Sequence, residues 1–341
     1  MPIPFAQVDV RTHDGFRLTL FRRRALRADA TPVLLLPGLA ANRFSFGIAL
    51  DRSLVTALNA AQRDVWVAEL RGARSSEWLG STRQRRPTTD IDHKLSVDLP
   101  ACLDAIQDAT GASQVDLVGH SLGGLLATLT AGGPHGARIR RLVTVCTPGT
   151  FDGFASILGP AERFAAFGVE ALAERFSHVP VGRLARLRGA LPHLALLANQ
   201  MLPGALTAPE RRLFLDRAVE NIPAGELAQM ALWIRRRALV DRRGDSLDGR
   251  FALVTQPTLV IAAGRDRVCH PERVKSGFDK LGTRQKWFTT IGLAHGHRSD
   301  YAHCDLLVGP HAHEDLYRPV AEFLAASALD LRTTRRAARS A

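Results

Sequence analysis

The 341 residues are 46% hydrophobic and 23% charged, with 28 Gly, ordinary globular values that exclude a disordered or fibrous chain and allow a sizeable core. Lys plus Arg is 45 against 33 Asp plus Glu, a net charge of +12, yet only Lys94, Lys275, Lys280 and Lys286 are lysines, so part of the excess is the arginine bias of a GC-rich genome. The basic clusters Arg22-Arg23-Arg24, Arg235-Arg236-Arg237 and Arg335-Arg336 are scattered and lack interleaved aromatics, which excludes a nucleic-acid reader and leaves, at most, weak peripheral attraction to anionic lipid surfaces.

Apolar runs such as residues 33–41 stay far below the roughly 18 residues of a membrane span. The first ten residues show no charged region followed by an apolar stretch, so no secretory signal is expected. Cys102, Cys146, Cys269 and Cys304 have no close pairing and read as reduced, buried thiols of a cytoplasmic protein.

In chain order, residues 7–12 and 16–21 alternate in polarity around Asp14-Gly15, which predicts a hairpin. Short apolar strands follow at 32–36 and 65–68. Residues 96–110 carry helical periodicity through Val97, Leu99, Leu103 and Ile106 and stop at Gly111. Further strands are predicted at 115–119, 142–145, 258–263 and 285–290, and a final helix at about 314–326. Between 151 and 250 the composition is helical, cut into short pieces by Pro160, Pro180, Pro192, Pro203, Pro209 and Pro223. The expected architecture is α/β: a mostly parallel central sheet with helices on both faces. Residues 1–150 and 251–326 form one domain, 151–250 a helical cap insertion, and 327–341 a basic, disordered tail.

Gly119-His120-Ser121-Leu122-Gly123-Gly124 joins a predicted strand to a predicted helix. Glycines there let the backbone turn tightly and project the serine hydroxyl above the sheet, with the helix N-terminus behind it. The alternative is a glycine-rich βα loop with Ser121 as an N-cap. A serine hydroxyl needs a base and an orienting acid, expected downstream at strand ends. Asp266 follows the strand 258–263 directly, where open α/β sheets place their sites. Its alternatives are a capping role for the helix near Pro271, or replacement by Asp300 or Asp305. The base belongs between the last strand and the final helix, where His295, His297 and His303 all qualify. The His295/His297 and His311/His313 pairs raise a metal site, but no carboxylate clusters beside them. No metal and no cofactor are expected.

These strings resemble the α/β-hydrolase superfamily over nearly the whole chain. Leu34-Leu-Leu-Pro-Gly-Leu39 is similar to its oxyanion-loop segment, and Asp64-Val-Trp-Val-Ala-Glu-Leu-Arg-Gly72 to the next strand and turn. Tyr301-Ala-His-Cys-Asp-Leu-Leu-Val-Gly309 is similar to a string of acid lipases and polyhydroxyalkanoate synthases whose histidine is catalytic, and this resemblance selects His303. The synthases use Cys at the elbow where this chain has Ser121, which shifts the expectation from polymer synthesis to ester hydrolysis. Pro37 stands where many relatives have His, so only backbone N–H donation, by Leu39 and Leu122, is expected for the oxyanion.

The expected function is a serine hydrolase of carboxylic esters: Ser121 attacks, His303 carries the proton, Asp266 holds the imidazole. The expected partner is a small-molecule ester with a short or medium acyl chain. Apolar residues of the insertion such as Phe164, Phe167, Phe176, Leu187, Met201 and Leu206 are expected to pack its helices on one another, with a residual apolar surface facing Ser121 that favours a medium chain. An acyltransferase with a non-water acceptor, or lipase-like action on longer chains, would use the same residues. A non-catalytic binding protein on this scaffold is disfavoured because all three triad types occur in order.

Overall fold

β1 (Ala6–Arg11) and β2 (Phe16–Arg23) pair antiparallel in the register Val10↔Leu18, the hairpin read around Asp14-Gly15. The computed structural model describes residues 5–27, 29–49, 52–81, 86–151, 177–186 and 200–327. After the hairpin come β3 (Pro32–Leu36), β4 (Asp64–Glu69), β5 (Glu77–Trp78), β6 (Val115–His120), β7 (Ile139–Val145), β8 (His178–Val179), β9 (Ile222–Pro223), β10 (Thr258–Ala263) and β11 (Lys286–Ile291). The main sheet has the order β1-β2-β4-β3-β6-β7-β10-β11, with β5 added beside β2. From β4 to β11 every neighbour is parallel.

Helices cover both faces of this sheet, so its inner strands are apolar on both sides. Leu34 and Leu36 of β3, with Trp66 and Ala68 of β4, pack on the helices Leu99–Thr110 and Leu122–Ala131. Val33 and Leu35, with Val65 and Val67, face the opposite cluster with the helices Leu54–Ala60 and Arg318–Ala325. The predicted strands all form, within one to three residues at their ends. The predicted final helix begins as a wider turn, His313–Tyr317, before Arg318–Ala325.

Part of the arginine excess works inside the fold. Arg141 donates to the carbonyls of Phe323 (2.6 Å), Leu324 (2.5 Å) and Ala326, and Arg140 to that of Leu324 (2.9 Å) while pairing with Asp116. These cations satisfy the orphan carbonyls at the end of the last helix. Arg71 is fully buried beneath the hairpin. It donates to Asp98 through Nε (2.9 Å) and a terminal nitrogen (2.7 Å), and to Asp14 at 2.9 Å. The Asp98 carboxylate also accepts the Arg71 backbone N–H at 3.0 Å. One side chain therefore joins the hairpin turn, the turn after β4 and the start of the helix Leu99–Thr110.

Within the predicted insertion, the described residues form the helices Val181–Arg186, Ala208–Ala218 and Ala224–Arg236. They also form a two-residue antiparallel ribbon of β8 with β9, too short to leave any periodicity in the sequence. Phe164, Phe167, Phe176 and Leu187 lie outside the described residues, as do the basic residues of the tail. Residues 217–220 sit on the loop after β3. Asn42 donates to the Arg217 carbonyl (2.7 Å) and the Glu220 carboxylate (2.6 Å), and the Glu220 N–H to the Ala40 carbonyl (2.8 Å). Lys94 and the buried Glu226 form an ion pair at 2.5 Å. Among the described residues no helix is long and apolar enough to cross a membrane.

Removing one partner of a buried ion pair leaves an uncompensated charge. Arg71→Met strands Asp98, and is expected to cost about 3–5 kcal/mol in urea unfolding. A loss below about 1 kcal/mol would mean that this network does not hold the three segments together.

Candidate active site

The β6 strand ends at His120, and Ser121 turns the chain into the helix Leu122–Ala131 with φ 52 and ψ −120. Such a conformation costs a non-glycine residue about 1–3 kcal/mol and is held only by its surroundings. Here the Ser121 N–H donates to the Val145 carbonyl (2.9 Å) and its carbonyl accepts from Leu125 (3.1 Å). A Cβ on Gly119 would overlap Gly123 and Gly124, one on Gly123 would overlap the carbonyls of Leu36 and Pro37, and one on Gly124 would overlap Thr147. The Ser121 side chain makes no capping hydrogen bond, which sets aside the N-cap alternative. Ala40 and Cys146 also have positive φ. Ala40, Ser121 and Cys146 thus follow β3, β6 and β7, adjacent central strands, and stand at the carboxyl ends of the sheet; Gln62 and Arg237 also have positive φ, elsewhere.

Asp266 follows β10, as expected. Its Oδ1 accepts from the N–H groups of Val268 and Cys269, both at 2.8 Å, and its Oδ2 lies 2.7 Å from His303 Nδ1. The pair is nearly dry, 1% and 3% exposed. Of the alternatives, Asp300 binds Arg265 and the Leu293 N–H, and Asp305 accepts from the N–H groups of Ala302 (2.6 Å) and Leu202 (2.8 Å). His295 is exposed, and His297 Nδ1 accepts from Gly292 at 3.4 Å. Among the described residues, His303 is the histidine that meets Asp266.

The string around His303 has a structural logic. The Tyr301 hydroxyl donates to Asp315 at 2.8 Å, Asp305 fastens the backbone at Ala302, and the Gly309 N–H bonds the Asp305 carbonyl at 2.6 Å. A Cβ on Gly309 would press on that same carbonyl. From the insertion, Gln200 meets Cys304 twice: its carbonyl accepts the Cys304 N–H (2.7 Å) and its Oε1 the thiol (3.1 Å).

Sequence reading passed over His120. It is buried beside Ser121, its Nε2 lies 2.9 Å from the His303 carbonyl, and the two rings are 4.7 Å apart. Burial, then the neighbouring His303, pushes its pKa down to about 3. His120, Cys146 and His303 offer donor atoms close enough to share an ion. His303 Nδ1 is engaged by Asp266, His120 Nε2 by a carbonyl, and burial followed by Asp266 pushes the Cys146 thiol up, so this set does not resemble a free metal site. The His295/His297 and His311/His313 pairs are not part of it.

Leu39 lies in the loop after β3 and Leu122 at the first helical position, where an N–H has no intrahelical acceptor. Among the described residues neither N–H donates to a backbone carbonyl outside its own element. A cavity of about 40 Å³ beside this loop is walled by Leu36, Gly38, Leu122, Leu126, Glu69 and Glu226, little more than the volume of one water.

Residues 31–310 match the sequence model of the alpha/beta hydrolase fold family. Over 131 residues, 36% of the chain, it is 28% identical to sterol esterase 2 of Saccharomyces cerevisiae, covering 24% of that protein. Over 130 residues, 35% of the chain, it is 32% identical to triacylglycerol lipase 2 of Arabidopsis thaliana, covering 31% of it. The chain thus spans less than a third of the curated relatives it matches. A thermophilic esterase from Thermogutta terrifontis superposes with a TM-score of 0.62 at 19% identity, over 94% of this chain and 98% of that one.

Asp305 carries the titration that stability should feel. Burial raises its pKa to about 6, against about 3.9 for an ordinary carboxylate. The folded protein thus binds a proton that the unfolded chain releases between those values. Asp305 contributes most below about pH 4, and that contribution is lost as pH rises through 6. Relative to Asp305→Asn, the native protein should gain stability in urea as pH is lowered from 7.5 to 5. A difference that stays constant would show that burial does not hold this proton.

Proposed function

The chain belongs to the α/β-hydrolase fold family, and on that premise we propose that it is a serine hydrolase cleaving small carboxylic esters through an acyl-enzyme. The observation that carries this reading is the dry Asp266–His303 pair, 2.7 Å apart, beside the strained turn that presents Ser121. The names of the sterol esterase and the triacylglycerol lipase support ester chemistry in this family, and the elbow serine supports hydrolysis.

In this mechanism the Ser121 Oγ attacks the ester carbonyl carbon as its proton passes to His303 Nε2. Asp266, satisfied by two backbone N–H groups and the imidazole Nδ1–H, keeps the ring in the tautomer with Nε2 open and stabilises the imidazolium. The carbonyl oxygen becomes an oxyanion, received by the Leu39 and Leu122 N–H groups, each contributing about 3 kcal/mol. Collapse breaks the bond to the alcohol, which takes its proton from His303 Nε2 and leaves Ser121 acylated. Water then attacks the acyl carbon, giving a proton to His303. The second collapse releases the carboxylic acid and returns the proton to Ser121. No cofactor is required for any of these steps.

The insertion supplies the acyl site in this reading. The contact of residues 217–220 with the loop after β3 supports a cover over the strand ends.

A fluorophosphonate should label the native protein and leave Ser121→Ala untouched, with folding intact by circular dichroism. His303→Ala should lose roughly a thousandfold or more in esterase rate, His295→Ala and His297→Ala far less. Turnover of Ser121→Ala within a few-fold of the native protein would remove the proposal.

Along p-nitrophenyl esters of rising length, each buried CH₂ is worth about 0.8 kcal/mol, so kcat/KM should climb several-fold per methylene until the site is full. A flat profile from acetate to octanoate would separate the insertion from acyl binding.

A further inference from the structure

We infer that His120 is a positioning residue for the base: its Nε2–H fixes the main chain of His303, so one side chain ties the turn carrying Ser121 to the loop carrying its proton acceptor. This rests on Ser121 and His303 acting as proposed above.

The geometry has three parts. His120 precedes Ser121 directly, so its ring moves with the nucleophile turn. Its Nε2 lies 2.9 Å from the His303 carbonyl, a contact that requires the proton on Nε2. The two rings pack at 4.7 Å, tilted by 51°. With Asp266 on the imidazole Nδ1 and His120 on the carbonyl, His303 is held at both ends, by side chains arriving from β10 and β6. Residues 183 apart in sequence are thereby kept in register.

The other nitrogen of His120 argues against a purely structural role. With the proton on Nε2, Nδ1 is a bare acceptor. It is buried against Gly38 and has no hydrogen-bond partner among the described residues. An unpartnered buried acceptor costs stability, and a leucine would fill this space without one. What histidine adds here is the N–H to His303. The ring also suits a neighbour that becomes positive during the reaction. Held neutral by burial, with its pKa pushed down to about 3, it adds no charge beside the imidazolium.

The test compares three variants in the full chain. His120→Leu removes the donor. His120→Gln carries an amide N–H close to where Nε2 sits, and His120→Asn carries one too short to reach the carbonyl. His120→Leu and His120→Asn should lower kcat about ten- to hundredfold, the scale of a misplaced catalytic group, with KM within twofold and fluorophosphonate labelling slowed in parallel. His120→Gln should recover kcat to within about threefold of native. The far-downfield NMR signal of the His303 Nδ1–H should persist in native and His120→Gln protein and broaden or vanish in the other two. If His120→Leu does not fold, the Gln and Asn pair decides alone. Native kcat in His120→Asn, equal rates in Gln and Asn variants, or a loss confined to KM would overturn the inference. If the native protein neither labels nor hydrolyses esters, the hydrolase reading fails separately. The NMR signal then decides the tie: loss in His120→Asn with retention in His120→Gln supports it, and an unchanged signal in both overturns it.

Discussion

Three side chains that are absent set the geometry on which the candidate site depends. At Gly119, Gly123 and Gly124 a Cβ would collide with backbone or with Thr147, so the helix Leu122–Ala131 can leave β6 against the end of β3. That close approach forces Ser121 to φ 52 and brings the loop of Leu39 alongside the turn. The strain at Ser121 is sustained by its own hydrogen bonds to Val145 and Leu125 and by the buried strands on either side. Because β3, β6, β7 and β10 are parallel neighbours, their carboxyl ends lie together. The strained residues and Asp266 therefore meet without any long connection reaching for them.

The same economy governs the buried charges. Asp266 is satisfied by two N–H groups and an imidazole, Asp98 by a guanidinium and an N–H, Asp305 by two N–H groups from separate segments. Each carboxylate fastens pieces of chain far apart in sequence, which a hydrophobic contact, lacking direction, would not do. Asp98 and Asp14 meet on Arg71 in the turn after β4, and Asp305 joins the His303 loop to Leu202. The latter bond, with those that Cys304 donates to Gln200, makes the middle of residues 151–250 part of the wall that holds His303. Changes at Gln200 or Leu202 can thus reach the His303 loop through hydrogen bonds.

What was legible in the sequence was whatever has a period or a fixed local chemistry. Alternation gave the hairpin, and continuous apolar runs gave the parallel strands, because strands buried on both faces need them. The glycines around Ser121 marked the turn because a steric requirement acts on adjacent residues. What the residues alone left open was pairing. His295, His297 and His303 share one loop composition, and Asp266, Asp300 and Asp305 all follow strand signals; only the resemblance separated the histidines. The fold separates both sets, because the register of β10 with β11 and the anchoring of Tyr301 on Asp315 bring Asp266 to His303 and send the other carboxylates to arginine and backbone. His120 had no signal of its own, since its partner is a carbonyl, which every residue carries. A sequence specifies which elements form; tertiary packing decides which polar atoms meet, because distances between atoms remote in sequence are set by strand register and layer packing rather than by local pattern.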